Sequence, residues 1–130
     1  MVVDTLGLVW ALVITPASVQ DADGAKQALT AFRRQVKFPK ILWVDAAYRA
    51  VVSWAWVCWA WTLEVVSAPK GQKGFAVQPK RWIVERTFGW LNRSRRLSKD
   101  YERTVDSSQA FVEVAMIHLM LRRLKKNTPC

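Results

Sequence analysis

Two carboxylates stand where a metal-dependent reaction could be built. Asp45 follows directly on the apolar run Lys40-Ile41-Leu42-Trp43-Val44, and Glu85 lies 40 residues later in an arginine-rich segment. An Asp at a strand end and a Glu on a later helix can converge on a divalent cation. Hard oxygen donors suit Mg²⁺, and two such ions can hold both oxygens of a phosphoryl transfer. Alone, the acids are better explained as a turn residue and a surface ion-pair partner, but the neighbours of Glu85 shift the balance. Arg81, Glu85, Gly89 and Asn92 recur at spacings of four, four and three, which puts them on one helical stripe. Val84, Phe88 and Leu91 form an adjacent apolar stripe that would orient the helix against a sheet. A mid-helix glycine costs about 1 kcal/mol relative to alanine. At Gly89 it removes bulk beside the carboxylate, as close approach of a phosphate backbone requires; tight helix packing would require the same. Arg81 and Glu85 are also spaced for an ion pair along the helix.

Strands and helices must position these groups. Gly7 to Thr15 is short, β-branched and bounded by Gly7 and Pro16, so it reads as a buried strand. Asp4-Thr5-Leu6-Gly7 before it reads as the turn of a hairpin whose first strand is cut short by the start of the chain. A paired strand upstream is therefore expected to be missing. Asp21 to Val36 is a helix, capped by Asp21 or Asp23, with Ala25, Leu29, Phe32 and Val36 on one face. Lys40 to Asp45 is a second strand, and Thr62 to Val66 a short third one. Between them Val51, Trp54, Cys58 and Trp61 share a helical face, with Trp56 and Trp59 on another; a helix apolar all round is buried or meets a partner. Ser67 to Gly74 reads as a solvated loop and Lys80 to about Leu97 as a long basic helix. Asp106 opens a final helix with Gln109 as its capping-box partner. The alternation predicts an α/β fold, a mixed sheet flanked by helices.

Composition narrows the function. The chain has 130 residues, enough for one domain or a large part of one. Its formal charge is +10, and the excess is uneven: six basic and five acidic residues precede position 67, fourteen and five follow. A surplus of that size points to a polyanion, most often nucleic acid. Two cysteines and one histidine, His118, are too few for a Cys/His zinc site. Cys58 reads as a small buried apolar residue. The apolar N-terminus lacks a basic region and carries Asp4, against a signal peptide. The uncharged run Ala50 to Leu63 is 14 residues long, whereas a membrane span needs roughly 20. A cytoplasmic protein with no membrane partner is expected.

The segment from Arg81 to Glu102, RWIVERTFGWLNRSRRLSKDYE, resembles the C-terminal signature of bacterial insertion-sequence DDE transposases, of the fifth insertion-sequence family type. Leu42 to Arg49, LWVDAAYR, is similar to their second signature, and residues 3–25 resemble the segment before it. The resemblance covers nearly the whole chain. It implies a ribonuclease-H-like fold, here truncated and lacking its first strand, so that residues 1–130 form a partial catalytic domain. It also implies an Asp-Asp-Glu triad holding two Mg²⁺ ions and a reaction of DNA strand cleavage followed by strand transfer. Asp45 then corresponds to the second acid and Glu85 to the third, both catalytic and metal-binding. The first acid belongs to a strand upstream of the hairpin, and Asp4, in the turn, is not its equivalent. The missing strand would lie beside the one at Gly7 to Thr15.

Two features depart from the family pattern. Ala46 and Ala47 stand where glycines are usual, which disfavours positive φ and adds bulk near the metal site. Trp54, Trp56, Trp59 and Trp61 replace a more polar stretch. The DNA contacts are expected from Arg81, Arg86, Arg93, Arg95, Arg96 and Lys99, with Arg103 extending the basic run, since phosphate neutralisation dominates affinity. With one acid missing, the isolated chain is expected to be inactive. It would act with an upstream segment, as a DNA-binding or transposase-pairing regulator, or as an inert remnant. The apolar strand edge and eight tryptophans predict self-association.

Overall fold

The computed structural model describes residues 1–67, 80, 82–99 and 101–127. Strands β1 (Val2–Val3) and β2 (Val9–Ala11) form an antiparallel hairpin. Its turn is built on Asp4, whose Oδ1 accepts from the backbone N–H of Leu6 at 2.8 Å and of Leu8 at 3.0 Å. Oδ2 accepts from the Trp10 indole at 3.2 Å. Gly7 closes the turn at φ +78°, a conformation costly for any residue with a Cβ. β2 is shorter than the run Gly7 to Thr15 suggests, because its pairing ends where Val2 meets Ala11.

Helix α1 (Asp21–Arg33) buries Ala28, Leu29 and Phe32. Its N-cap is Gln20, without a side-chain bond; Asp21 and Asp23 lie in the first turn, where they favour the helix dipole instead of capping it. The helix stops three residues before Val36, which still packs on the core. Strand β3 (Leu42–Asp45) pairs in parallel with β4 (Leu63–Val66), in the register Leu42 to Leu63 and Asp45 to Val66. Parallel pairing needs a crossover, and α2 (Arg49–Trp59) supplies it. Ala60, left-handed at φ 55°, reverses the chain so that Trp61 folds back edge-on to Phe32, 5.9 Å between ring centroids. Trp61 thus closes the core at 3% exposure, while Cys58 is exposed, contrary to expectation. The core joins Ala11, Leu29, Phe32, Val51, Ala55, Trp61 and Leu63.

The α/β class stands, but among the described residues the strands form two separate two-stranded sheets in place of the expected single mixed sheet. A cavity of about 740 Å³ lies between them, lined by all of β1 and β3. On the hairpin side it is lined by Val2 and Val3 of β1 and by Trp10, Val13 and Thr15 of the Gly7 to Thr15 run.

The expected basic helix to Leu97 is broken. Helix α3 (Trp82–Leu91) ends in tightened turns, with Arg93 N–H donating to Trp90 O and Ser94 N–H to Leu91 O. Ser94 is extended, and a 3₁₀ turn, Arg95–Leu97, follows. Helix α4 (Val105–Asn127) begins one residue before Asp106. Its cap is Thr104, whose Oγ1 accepts from Ser107 N–H at 3.2 Å; Gln109 donates instead to Glu113. Among the described residues no helix is long and apolar enough to cross a membrane.

Candidate active site

Asp45 ends β3 with extended backbone, and its Oδ1 accepts from the N–H of Ala46 at 2.6 Å. That bond caps the 3₁₀ turn Ala46–Tyr48 and fixes the carboxylate at the sheet's end. Ala46 and Ala47 sit without strain: among described non-glycine residues only Ala60 and Lys80 have positive φ. The alanines therefore impose no backbone penalty. Glu85, in the first turn of α3, is exposed and borders the same cavity as Asp45. Asp21 lines it too, from the first turn of α1. Tyr48 senses this grouping. Burial raises its pKa above the ordinary phenol range, and the Asp21 and Asp45 carboxylates push it further the same way. Lys80 closes one side, its ammonium 3.6 Å from the centre of the Trp43 ring.

Asp45 and Glu85 thus present two hard oxygen donors to one space. Mg²⁺ takes one or two carboxylates and completes its shell with water or substrate phosphate, so this donor set suits it. Among the described residues no three acid, His or Cys side chains gather closely enough to enclose a metal by themselves.

Tertiary contacts set the roll of α3 that aims Glu85. The expected stripe Val84, Phe88 and Leu91 is only partly right, since Phe88 is 50% exposed and Val84 half-buried. Thr87 is fully buried instead, its hydroxyl bonded to Gly7 O at 2.8 Å and Ile83 O at 3.1 Å. A Cβ on Gly7 would come within 2.7 Å of the Trp90 ring and 2.8 Å of Thr87 Oγ1. Hairpin and helix are therefore locked at a contact 80 residues apart in sequence. Sequence reasoning missed Thr87; the only local signal is a β-branched polar residue in mid-helix, which is weak. Gly89 has nothing within 4 Å of where a Cβ would be, so tight packing does not explain it.

The expected DNA-contacting cations divide. Arg93, Arg95, Lys99 and Arg103 are exposed. Arg96 is exposed as well, but it is tied at 2.7 Å to Glu102, with its guanidinium over the Phe111 ring. Arg86 is half-buried between the Trp82 and Trp90 rings, at 4.5 and 4.8 Å, and donates to Thr5 O. Arg81 lies outside the described residues.

Against this geometry, a family model described as a transposase DDE domain matches residues 1–120. No curated protein and no solved structure matches the chain.

Proposed function

The chain belongs to the transposase DDE domain family, and on that footing we propose that residues 1–130 are a partial catalytic domain for DNA strand cleavage and strand transfer. Asp45 and Glu85 are two of its three acids. The observation that carries this reading is their convergence on one cavity from β3 and α3. Bound there, Mg²⁺ would activate the attacking oxygen and stabilise the leaving one. Asp45 and Glu85 would hold the metal, the N–H of Ala46 orienting the Asp45 carboxylate.

The cavity between the sheets supports the rest. β1 and β3 each have one edge taken by a partner, and both line the space between. A further strand there would join β2, β1, β3 and β4 into one ribonuclease-H-like sheet and bring the first acid beside Asp45. On this reading the 130 residues alone bind DNA in the cytoplasm without cutting it. Arg93, Arg95 and Lys99 lie apart from the cavity lining, which favours a second reading, a DNA-binding regulator that pairs with complete transposase.

The test incubates the purified chain with Mg²⁺ or Mn²⁺ and a labelled transposon-end duplex, alone and fused to an upstream strand carrying an Asp. The chain alone should leave the duplex intact. The fusion should cleave it and lose cleavage on Asp45→Asn or Glu85→Gln. Cleavage by the chain alone that disappears on Glu85→Gln would mean that the remaining acid lies within it, Asp4 or Asp21 being the first to examine. A fusion that cleaves equally well without Asp45 and Glu85 would refute the assignment.

A further inference from the structure

The first half of the chain is nearly neutral in sequence, but its charges are segregated in space. Asp4, Asp21 and Asp45 line the cavity, Asp23 pairs with Lys26, and Glu64 accepts from the Trp43 indole. Between Asp23 and Asp45 stand Lys26, Arg33, Arg34, Lys37 and Lys40 and no acid, and the last four are exposed. Arg33, Arg34 and Lys37 line a groove of about 440 Å³ together with Thr30, Phe38 and Trp59. Phe32, Val36 and Pro39 line the cavity, whereas Arg33, Lys37 and Phe38 beside them line the groove, and the two linings share no residue. The catalytic reading uses none of the residues in this groove.

The backbone under the groove is held in place. Lys37 O accepts from Trp61 Nε1 at 2.9 Å, and Gln35 Nε2 donates to Trp10 O at 2.7 Å. Trp59 packs against the Trp54 and Trp61 rings at 4.7 and 4.9 Å, and the Arg33 guanidinium lies over it at 5.0 Å. Among the described residues neither Arg34 nor Lys37 pairs with an acid. Cations suit the C-terminal end of α1, but that gives no reason for Phe38 to stand 87% exposed beside them on a pinned backbone. A ligand that answers both features carries negative charge and a flat apolar face together. A single nucleic-acid strand does so: its phosphates meet the cations, and its unpaired bases stack on aromatic rings and guanidinium planes. In a duplex the base faces are covered by one another, and a membrane surface is too flat to enter a groove. We propose that this groove binds single-stranded DNA, with a base stacked on Phe38 and the flanking phosphates held by Arg34 and Lys37. The site is separate from the Asp45 and Glu85 cavity and does not depend on either acid being catalytic.

Fluorescence anisotropy of the full chain tests this, read with labelled oligothymidylate, an abasic strand of the same length and a duplex. The background carries Arg93→Ala, Arg95→Ala and Lys99→Ala, which removes the phosphate contacts assigned to the C-terminal half. Oligothymidylate should bind more tightly than the abasic strand. Phe38→Ala should weaken oligothymidylate roughly 5- to 150-fold, the loss of one stacked base, and leave the abasic strand unaffected, whereas Phe38→Trp should retain binding. Arg34→Ala with Lys37→Ala should flatten the salt slope on the single strand by about 1.4. All three side chains are exposed, so far-ultraviolet circular dichroism should not change. Equal affinity for base-bearing and abasic strands would overturn the proposal, as would unchanged binding in Phe38→Ala. Tighter binding of the duplex that is lost with Arg34 and Lys37 would make the groove a duplex-backbone site and overturn the single-strand assignment. Phosphatidylserine vesicles that bind the parent chain and not Phe38→Ala would overturn it in favour of a membrane surface.

Discussion

The salt dependence of DNA binding separates the cations the fold has already engaged from the rest of the basic surface. Each phosphate neutralised on B-DNA contributes about −0.9 to the slope of log K against log salt. By sequence, Arg93, Arg95, Arg96 and Lys99 are equivalent and together worth a slope of roughly −3 to −4. In the structure they are not equivalent, since Arg96 is held at 2.7 Å by Glu102 and covers Phe111. Reaching a phosphate would exchange one charged partner for another. The three remaining cations should therefore carry a slope of about −2.7, which is roughly a 40-fold loss of affinity between 50 and 200 mM salt. Fluorescence anisotropy on a labelled duplex of arbitrary sequence, titrated across that range, measures the slope. Changing Arg93, Arg95 and Lys99 together to Ala should flatten it by about 2.7. Arg96→Ala should move it by well under 0.9, and Arg86→Ala, which empties the space between two indoles, should act on stability instead. Lys125→Ala with Lys126→Ala should leave the slope nearly unchanged. A full phosphate's worth of change from Arg96→Ala, or an unchanged slope in the triple variant, would refute the division of the basic surface drawn here.

Thr87→Val keeps shape and branching but leaves the buried Gly7 carbonyl without its donor, so thermal or urea unfolding should show a loss of about 1–3 kcal/mol; Thr87→Ser, which retains the hydroxyl, should lose less. Gly89→Ala adds a methyl to open space and should stabilise the helix by about 0.5–1 kcal/mol, while weakening DNA binding where a phosphate backbone approaches Glu85; unaltered affinity in anisotropy would deny Gly89 a binding role. Tyr48 has a pKa raised by folding, through burial first and then Asp21 and Asp45. Its contribution to stability is complete below the unfolded phenol pKa of about 10 and is lost as pH rises through the folded value. Urea unfolding across the alkaline range should thus show a steeper decline for the parent chain than for Tyr48→Phe.

Much of the site was legible in the residues themselves because it rests on local chemistry. An apolar β-branched run ending in a carboxylate makes β3 and leaves Asp45 at its end. Asp4 and Gly7 make a turn through a side-chain acceptor and a positive φ, and the spacing of Val84, Phe88 and Leu91 marks a helix that carries Glu85. Each follows from interactions within a few positions of chain. What tertiary structure decided depends on partners far away in sequence. Thr87 is buried instead of Phe88 because Gly7, 80 residues earlier, offers it a carbonyl and has no Cβ to block the approach. Arg86 and Arg96 look like their neighbours until Trp82, Trp90, Glu102 and Phe111 are placed around them. The division of the sheet is also invisible to periodicity, which finds strands but not their edges. Local pattern specifies which groups a chain can offer, and only packing settles which are already occupied.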